Sequence, residues 1–266
     1  MCWKICVAMG VCVSALFASP VGNPAFPRII KEGFYIPSDI LVSVRAGYEG
    51  DFVSDARLNQ TIESSGRVDS FVQNINSGTI TLNVAERVDF YSILGASQIC
   101  ADWRYEVPQN NTFVVNRAQL ETLTQFLWGV GARGILFQTE TLTLGIGGRY
   151  SFTNPDPVWL LVNAVNQNIA GAKCRWYEWQ FDLDFAFQID LFIPYIGVKY
   201  SGVRVKLGHF PEPIAMNAAT TNHFEDRIPV GVVLGCSISN GKYFMLNVEA
   251  RLVNEEAMTI SGDLRF

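Results

Sequence analysis

Hydrophobic and polar residues alternate along much of this chain, most clearly at 177–188. In that segment the odd positions are aromatic or aliphatic, and most even positions are Glu, Gln or Asp. Successive side chains of a β-strand point to opposite faces, so the pattern predicts a strand with one apolar and one polar face. The same alternation occurs at 40–52, 244–252 and 258–266.

Six further segments bring the number of predicted strands to ten: 80–85, 88–97, 126–136, 142–152, 194–201 and 230–238. The links between strands alternate in length. Long loops are predicted at about 55–77, 98–125, 153–173 and 206–228. Most of the other links are short, and one contains the pair Asn240-Gly241, which favours a tight hairpin. Tight turns at one end and long loops at the other are typical of outer-membrane β-barrels.

Aromatic residues support this polarity, because they fall near both ends of the predicted strands, as in the girdles at the two membrane interfaces. Strands in lipid must form a closed ring, since an open edge would leave backbone groups unpaired. The sequence therefore predicts an all-β fold, a closed antiparallel transmembrane β-barrel with meander topology and at least ten strands. Additional strands at 101–107, 111–117 or 158–165 would raise the number to twelve or more and widen the pore. The alternative is a soluble β-sandwich, whose strands also alternate.

The N-terminus has the pattern of an export signal. Lys4 precedes an apolar run at 5–17, and the small residue Ala18 offers a cleavage site. We therefore expect a cleaved signal peptide at 1–18, a periplasmic N-terminal segment at 19–39 and the barrel at 40–266. The alternative for the first residues is a buried N-terminal helix.

Composition narrows the class of protein further. Hydrophobic residues make up 49% of the 266 positions and charged residues 17%, which excludes a disordered chain. A net charge of −5 argues against binding nucleic acid. The expected surroundings are outer-membrane lipid and, during biogenesis, the barrel-assembly machinery. The C-terminal strand has the form of an assembly signal, with apolar residues of one parity at Met258, Ile260, Leu264 and Phe266.

Charged residues occupy the parity that faces the barrel interior. The candidate pore-lining residues are Arg45, Glu49, Asp51, Arg133, Arg149, Glu178, Asp182, Asp184, Lys199, Glu249, Arg251, Asp263 and Arg265. Charges of both signs on the walls of an open pore tune its ion selectivity. Alternatively they pair with one another and fill a narrow barrel, because ten strands enclose little more space than the eight whose interior side chains fill.

Other chemistry has little support in the sequence. His209 and His223 share one predicted loop with Glu212, Glu225 and Asp226, but such loop residues are mostly solvated, and we expect no enzyme. No metal site or cofactor is expected either. After signal removal three cysteines remain, and Cys100 and Cys174 both fall at the long-loop end, where they form a disulfide or remain free or linked between chains.

Several blocks of the sequence resemble the chlamydial major outer membrane porin family, in the same order and over the whole mature chain. They are PVGNP at 20–24, VRAGYEGD at 44–51, LGAS at 94–97, VGARG at 130–134, YEWQ at 177–180, PYIGV at 194–198, and the ending EARLVNE at 249–255 through SG at 261–262 to RF at 265–266. The ending is the most specific block.

The resemblance implies an outer-membrane barrel that passes small solutes and, as in the best-known members, assembles into disulfide-linked homotrimers. This chain is shorter than typical members and keeps fewer cysteines, so a smaller pore and less crosslinking are expected. The function predicted is passive diffusion of ions and small solutes through the bacterial outer membrane. The alternative is a non-conducting surface protein whose long loops bind a partner and whose barrel is an anchor.

Overall fold

A computed structural model describes residues 20–32, 41–60, 67–109, 112–209 and 223–266, with the backbone alone at 107–109 and 223. The predicted signal peptide at 1–18 lies outside the described residues. Within these ranges no helix is long and apolar enough to cross a membrane.

Ten strands form the wall of a barrel. In chain order the wall strands are β1 (Val42–Ala56), β3 (Arg67–Val84), β4 (Val88–Gln109), β6 (Gln125–Gln138), β7 (Leu142–Thr153), β10 (Lys173–Phe187), β11 (Phe192–Gly208), β13 (Val230–Ser239), β14 (Phe244–Leu252) and β15 (Glu255–Arg265). Each pairs antiparallel with the next, which confirms the predicted meander and all ten predicted strands.

The ring closes between the first and last strands. In β1, Arg45 lies opposite Thr81 of β3 on one side and opposite Arg265 of β15 on the other. The wall therefore has no free edge in the bilayer, where unpaired backbone groups would be very unfavourable.

One end of the barrel is formed by tight turns. Residues 85–87 join β3 to β4, and Ala85 and Glu86 have φ of 53° and 52°, the left-handed conformation that matches the twist of the flanking strands in a tight hairpin turn. In the turn between β13 and β14, Gly241 has φ of 73°, which glycine adopts without strain. We call this the short-turn end and the opposite one the long-loop end.

The outer surface of the wall is apolar across its middle. Phe181 is 60% exposed on the outside, whereas the next residue, Asp182, is 7% exposed and points inward. Near the long-loop end, aromatic rings of adjacent strands touch: Trp128 and Tyr150 at 5.9 Å between centroids, and Trp179 and Tyr200 at 5.6 Å. This aromatic band is the predicted girdle on that side.

The remaining strands extend the wall beyond the long-loop end instead of widening it. They are β2 (Leu58–Gln60), β5 (Thr112–Thr122), β8 (Pro157–Val162), β9 (Val165–Asn166) and β12 (His223–Asp226). β5 forms a hairpin with the end of β4 that extends beyond the wall. β8 pairs with β5, and β9 pairs with β8. β12 pairs with β11 on one side and with β2 on the other.

Two predictions about this end are therefore wrong. Most of the predicted loop at 98–125 is a hairpin, and the loops at 55–77, 153–173 and 206–228 also contain strand residues. The extra strands at 101–107, 111–117 and 158–165 exist, but they leave the barrel wall at ten strands. The physical reason is that these segments bury an apolar inner face in a core of their own above the wall.

The N-terminal segment also differs from the prediction that residues 19–39 lie outside the barrel. The described part, 20–32, lies inside it and includes a short helix, α1 (Phe26–Ile29). Val21, Phe26 and Ile30 are buried, and they pack in one cluster with inward residues of the wall such as Tyr195. Polar groups of the wall bind its backbone, which explains why a segment of mixed polarity enters the lumen.

Candidate functional site

The lumen collects the charged side chains that the strand parity places inside. All the candidate pore-lining residues are buried except Arg133, whose side chain is 13% exposed. Each lies on a wall strand, between neighbours that have the outward parity. The side chains of the set thus point inward. Burial alone does not show that the lumen they face is an open pore.

Most of these charges have partners of opposite sign. Arg45 and Arg133 both bind Asp89, the second at 3.0 Å from Nε to Oδ2. Arg149 Nη1 lies 2.9 Å from Glu49 Oε1. Such buried pairs hold each other in place, because either partner left alone would be an uncompensated charge.

A second group lies next to the first, since Asp51 follows Glu49 on the inner face of β1. Arg251 bridges Asp51, at 2.6 Å, and Glu249, at 3.2 Å, and also donates to Thr259 Oγ1 at 2.7 Å. Lys199 forms an ion pair with Glu255. The lumen is therefore a network of paired charges of both signs.

The remaining candidates have other surroundings. Glu178 Oε2 accepts a hydrogen bond of 3.4 Å from Ser151 Oγ. Asp182 and Asp184 lie two residues apart on the inner face of β10, and Asp263 lies on that of β15 beside a small cavity. Arg265 hydrogen-bonds to the N-terminal segment.

The N-terminal segment is bound by its backbone to this charged wall. Both oxygens of Glu249 accept from it, Oε1 from the N–H of Val21 at 2.9 Å and Oε2 from the N–H of Gly22 at 2.7 Å. Arg45 donates to the carbonyl of Phe26, and Arg265 to that of Ile30, each at 2.6 Å. Charge-assisted hydrogen bonds of this kind are the stronger ones in proteins.

Side chains of the segment add contacts. Asn23 Nδ2 donates to the carbonyl of Ile193 at 2.9 Å and to Ser237 Oγ at 3.1 Å. The guanidinium carbon of Arg133 lies 4.2 Å from the centre of the Phe26 ring, within cation–π range. The segment thus contacts several wall strands and fills the middle of the lumen.

Little free space remains at that level. A cavity of about 30 Å³ lies between the segment, Tyr91 and Arg149, roughly the space of one water molecule. At the short-turn end a larger cavity of about 390 Å³ is lined by Arg28, Lys31 and Asp190 among others. The lumen is therefore accessible from the short-turn end and occupied in its middle.

An apolar layer closes the long-loop end. Phe71 of β3 stacks on Trp176 of β10 with ring centroids 5.0 Å apart, and at least three wall strands separate β3 from β10 in either direction. Trp103 of β4 meets Phe224 of β12 at 5.5 Å. These rings, with inward aliphatic residues of the same level, form one buried cluster across the mouth.

Some residues of the lumen network were missed by sequence reasoning. Asp89 follows the inward parity of β4 and binds two arginines, so its position could have been inferred from the neighbouring outward Phe90. Glu255 falls between the predicted strands 244–252 and 258–266, and the structure places it in β15 with Lys199 as partner. Tyr195 donates to Glu249 at 2.7 Å, and no charge pattern signalled it.

Of the alternatives given for Cys100 and Cys174, the disulfide between them is not formed. Both thiols are free, as is that of Cys236. Cys174 is buried in the apolar layer, whereas Cys100 has the outward parity of β4 beside the buried Ile99. The two side chains leave the wall on opposite faces and cannot meet.

The acidic residues considered for catalysis have structural partners. Glu225 forms an exposed ion pair with Arg204 at 3.2 Å, and Asp226 accepts from the N–H of Val203 at 2.7 Å. Burial raises the pKa of Asp226 to about 8, and nearby Glu255 adds to the effect. Glu212 lies outside the described residues. His209 has φ of 59° at the end of β11.

Comparison with known proteins finds similarity to outer-membrane porins. No protein-family model matches the sequence. The chain is 24% identical to a major outer membrane porin of Chlamydia pneumoniae over 376 aligned positions, which cover 96% of each protein. It is 24% identical to the serovar F major outer membrane porin of Chlamydia trachomatis, over 95% of this chain and 96% of that protein.

Similarity to solved structures is weaker. An outer membrane channel from Pseudomonas putida F1 aligns with a TM-score of 0.43 and 10% identity, covering 87% of this chain and 100% of that one. The outer membrane protease OmpT from Escherichia coli aligns with a TM-score of 0.41 and 9% identity, covering 84% and 92%. Similarity at this level does not distinguish a channel from a protease.

The closed ten-stranded wall, its apolar outer face and the porin-named relatives agree with one another. Together they identify the chain as a β-barrel of the bacterial outer membrane, similar to the chlamydial major outer membrane porins.

Proposed function

We propose that the chain is a porin-like channel for ions and small solutes whose described conformation is closed. The observation that carries the proposal is the interior of the barrel, where charged side chains of both signs line a wall that a soluble or purely structural barrel could fill with apolar residues. The N-terminal segment and the apolar layer are then two barriers on one path. The proposed role is not enzymatic.

The relatives support this proposal because they are named as porins. Major outer membrane porins align over nearly the whole chain, so the similarity is not confined to one hairpin. The alignment of 376 positions is longer than the 266 residues of this chain, which is consistent with a smaller barrel and a narrower path.

Planar-bilayer recording tests the proposal. We expect brief, small conductance steps from the full mature chain and larger or longer steps after deletion of residues 20–32, because the deletion empties the middle of the lumen. A variant that combines the deletion with Phe71→Ala thins the apolar layer as well. If folded barrels of both variants, checked by their heat-dependent gel mobility, remain silent, the chain is not a channel.

Ion selectivity tests whether the charged residues line the path. Arg133→Glu changes the lumen charge by two units, so the reversal potential in a salt gradient is expected to shift towards cations. Arg117→Glu is the matched control, because Arg117 lies on the outer face of β5 in an exposed pair with Asp102. Equal reversal potentials for both variants would contradict the assignment of Arg133.

A non-conducting anchor is the second candidate, and the apolar layer favours it. Phe71 and Trp176 stack where a permanently open porin would have a water-filled mouth. In that case the extension of β5, β8 and β9 would be the functional part and would bind a partner. Silence of all the variants above, together with retained surface exposure of the extension, would establish this role.

Assembly adds two further proposals. The outward row of Met258, Ile260 and Leu264 on β15, with Phe266 directly after the strand, is proposed as the signal for the barrel-assembly machinery. Removal of Phe266 is expected to reduce insertion in cells. The homotrimer implied by the resemblance is tested by crosslinking in intact membranes, where a ladder ending at the monomer would contradict it.

A further inference from the structure

Basic side chains cluster on the outside of the barrel at the long-loop end of two adjacent strands. Lys173 and Arg175 lie on β10, and Arg204 and Lys206 lie on β11. Their positions have outward parity, since the intervening residues, such as Cys174, are buried in the apolar layer. We call these four residues the basic patch.

The strand register sets two of these cations against each other. Arg175 lies directly opposite Lys206, where like charges are destabilising. Over the part of the chain that the structure describes, neither residue has an ion-pair partner; Lys206 Nζ lies 5.8 Å from the centre of the Tyr177 ring. A cross-strand pair of this kind becomes favourable once an anion lies between its members.

Nearby acids do not neutralise the patch. Glu225 is paired with Arg204. Asp226 lies at the edge of the same groove, but burial raises its pKa to about 8, so its carboxyl is mostly uncharged at pH 7. The patch therefore keeps a positive charge.

A different sector of the same rim shows the ordinary arrangement. On the outer faces of β4 and β5, Arg104 binds Asp69 at 2.6 Å, and Arg117 binds Asp102. Each of these arginines has its own carboxylate within the protein. The excess of cations on β10 and β11 is thus local and not a general property of the outer rim.

The height of the patch on the barrel identifies its surroundings. Tyr177, Trp179 and Tyr200 belong to the aromatic band, and aromatic bands lie at the headgroup level of a membrane. Arg175 is two residues beyond Tyr177, about 7 Å along the strand. The patch therefore lies at the level where the phosphates of outer-leaflet lipids are found.

A groove joins the band to the patch. It has a volume of about 540 Å³ and is lined by Trp179, Tyr200, Arg204 and Lys206 among others. Its aromatic floor offers an apolar contact for the sugar or acyl part of a lipid, and the basic side chains offer donors for a phosphate.

We propose that this groove and the basic patch bind the phosphate groups of an anionic glycolipid of the outer leaflet. Arg175 and Lys206 hold the phosphate between them, and Trp179 with Tyr200 contacts the body of the lipid. The site lies on the outside of the wall, so its existence does not depend on whether the lumen conducts.

Native mass spectrometry and fluorescence titration of the folded barrel in neutral detergent test the proposal. The probe is diphosphorylated lipid A, compared with the same lipid after enzymatic removal of its phosphates. The variant is Arg175→Gln with Lys206→Gln. Its matched control is Arg67→Gln with Lys242→Gln, which removes the same charge from two exposed positions away from the patch.

We expect the patch variant to bind lipid A about 30-fold more weakly, because each basic residue near a lipid phosphate contributes roughly a factor of five. The control variant is expected to bind like the wild type. Equal binding by the patch variant, or equal binding of dephosphorylated lipid, would overturn the proposal. Full displacement of the lipid by millimolar inorganic phosphate would assign the site to the free anion instead and would also refute it.

Discussion

Glu249 provides the most direct test of how the N-terminal segment is held. Its carboxylate accepts from the backbone N–H groups of Val21 and Gly22, and it also contacts Tyr195 and Arg251. Glu249→Gln keeps the size of the side chain and removes its charge. A Gln amide has one oxygen where the carboxylate has two, and the two N–H groups bind different oxygens of Glu249, so one of them then faces an NH₂ group.

The structure gives the size of the effect. A hydrogen bond to a charged group contributes about 1.5–3 kcal/mol, so losing one and weakening the other lowers the free energy of local opening by roughly 2–4 kcal/mol. Backbone amides of residues 21 and 22 would then exchange with solvent roughly 30- to 700-fold faster. Arg251 keeps Asp51 as a partner, so the wall itself should remain intact.

Hydrogen–deuterium exchange followed by mass spectrometry measures this change in the folded barrel. The control is Glu256→Gln, since Glu256 is half-exposed and pairs with Arg57 far from the segment. Exchange in the peptide that contains residues 20–32 should rise in the first variant alone. If it is unchanged while the barrel keeps its heat-dependent mobility, the carboxylate does not hold the segment.

Three further predictions concern packing and pH. Phe71→Ala should destabilise the barrel by about 3–5 kcal/mol in urea unfolding, because the ring is 1% exposed and stacked in the apolar layer. Gly197→Ala should cost about 1–3 kcal/mol in the same assay, since a Cβ would overlap the buried carboxylate of Asp184, whereas Gly208→Ala has open space and should cost less than about 0.5 kcal/mol. The folded state keeps the Asp226 proton up to about pH 8, so stability should fall as pH rises from about 4 to 8, and Asp226→Asn should flatten that slope.

The alternation of side chains was sufficient to predict the barrel wall, because lipid selects apolar residues on one face of every strand. Above the bilayer the rule reverses. On β10, Tyr177 and Trp179 point outward to the membrane, whereas Trp176 and Cys174 point inward to a protein core. The parity of apolar residues thus inverts at the rim, and that inversion was a readable signal for the extension. Polar residues at the outward positions of these segments favoured a loop in the sequence analysis, so the extension was not predicted.

The position of the N-terminal segment was not predictable from periodicity. Residues 20–32 form one short helix and no strand, and many of the hydrogen bonds that hold them go to backbone groups, which carry no sequence signal. The sequence does contain the wall residues that bind the segment. Arg45, Arg265 and Glu249 project inward from three different strands, and a pairing scheme confined to the wall leaves part of their hydrogen-bonding capacity unused.

The two barriers in the lumen differ in what it takes to move them. Leaving the lumen exchanges the segment's hydrogen bonds for bonds to water, so each contributes only about 0.5–3 kcal/mol to its retention. It also exposes the buried Val21, Phe26, Ile29 and Ile30, a smaller apolar set than the residues of the layer. Opening the apolar layer exposes Phe71, Trp176 and their neighbours to water with no such replacement, at about 25 cal/mol for each Å² of apolar surface. The segment is therefore the barrier that yields first, and the layer sets the limit on conduction. It follows that the deletion combined with Phe71→Ala should conduct more than either change alone, and equal conductance in all variants would mean that the path runs elsewhere.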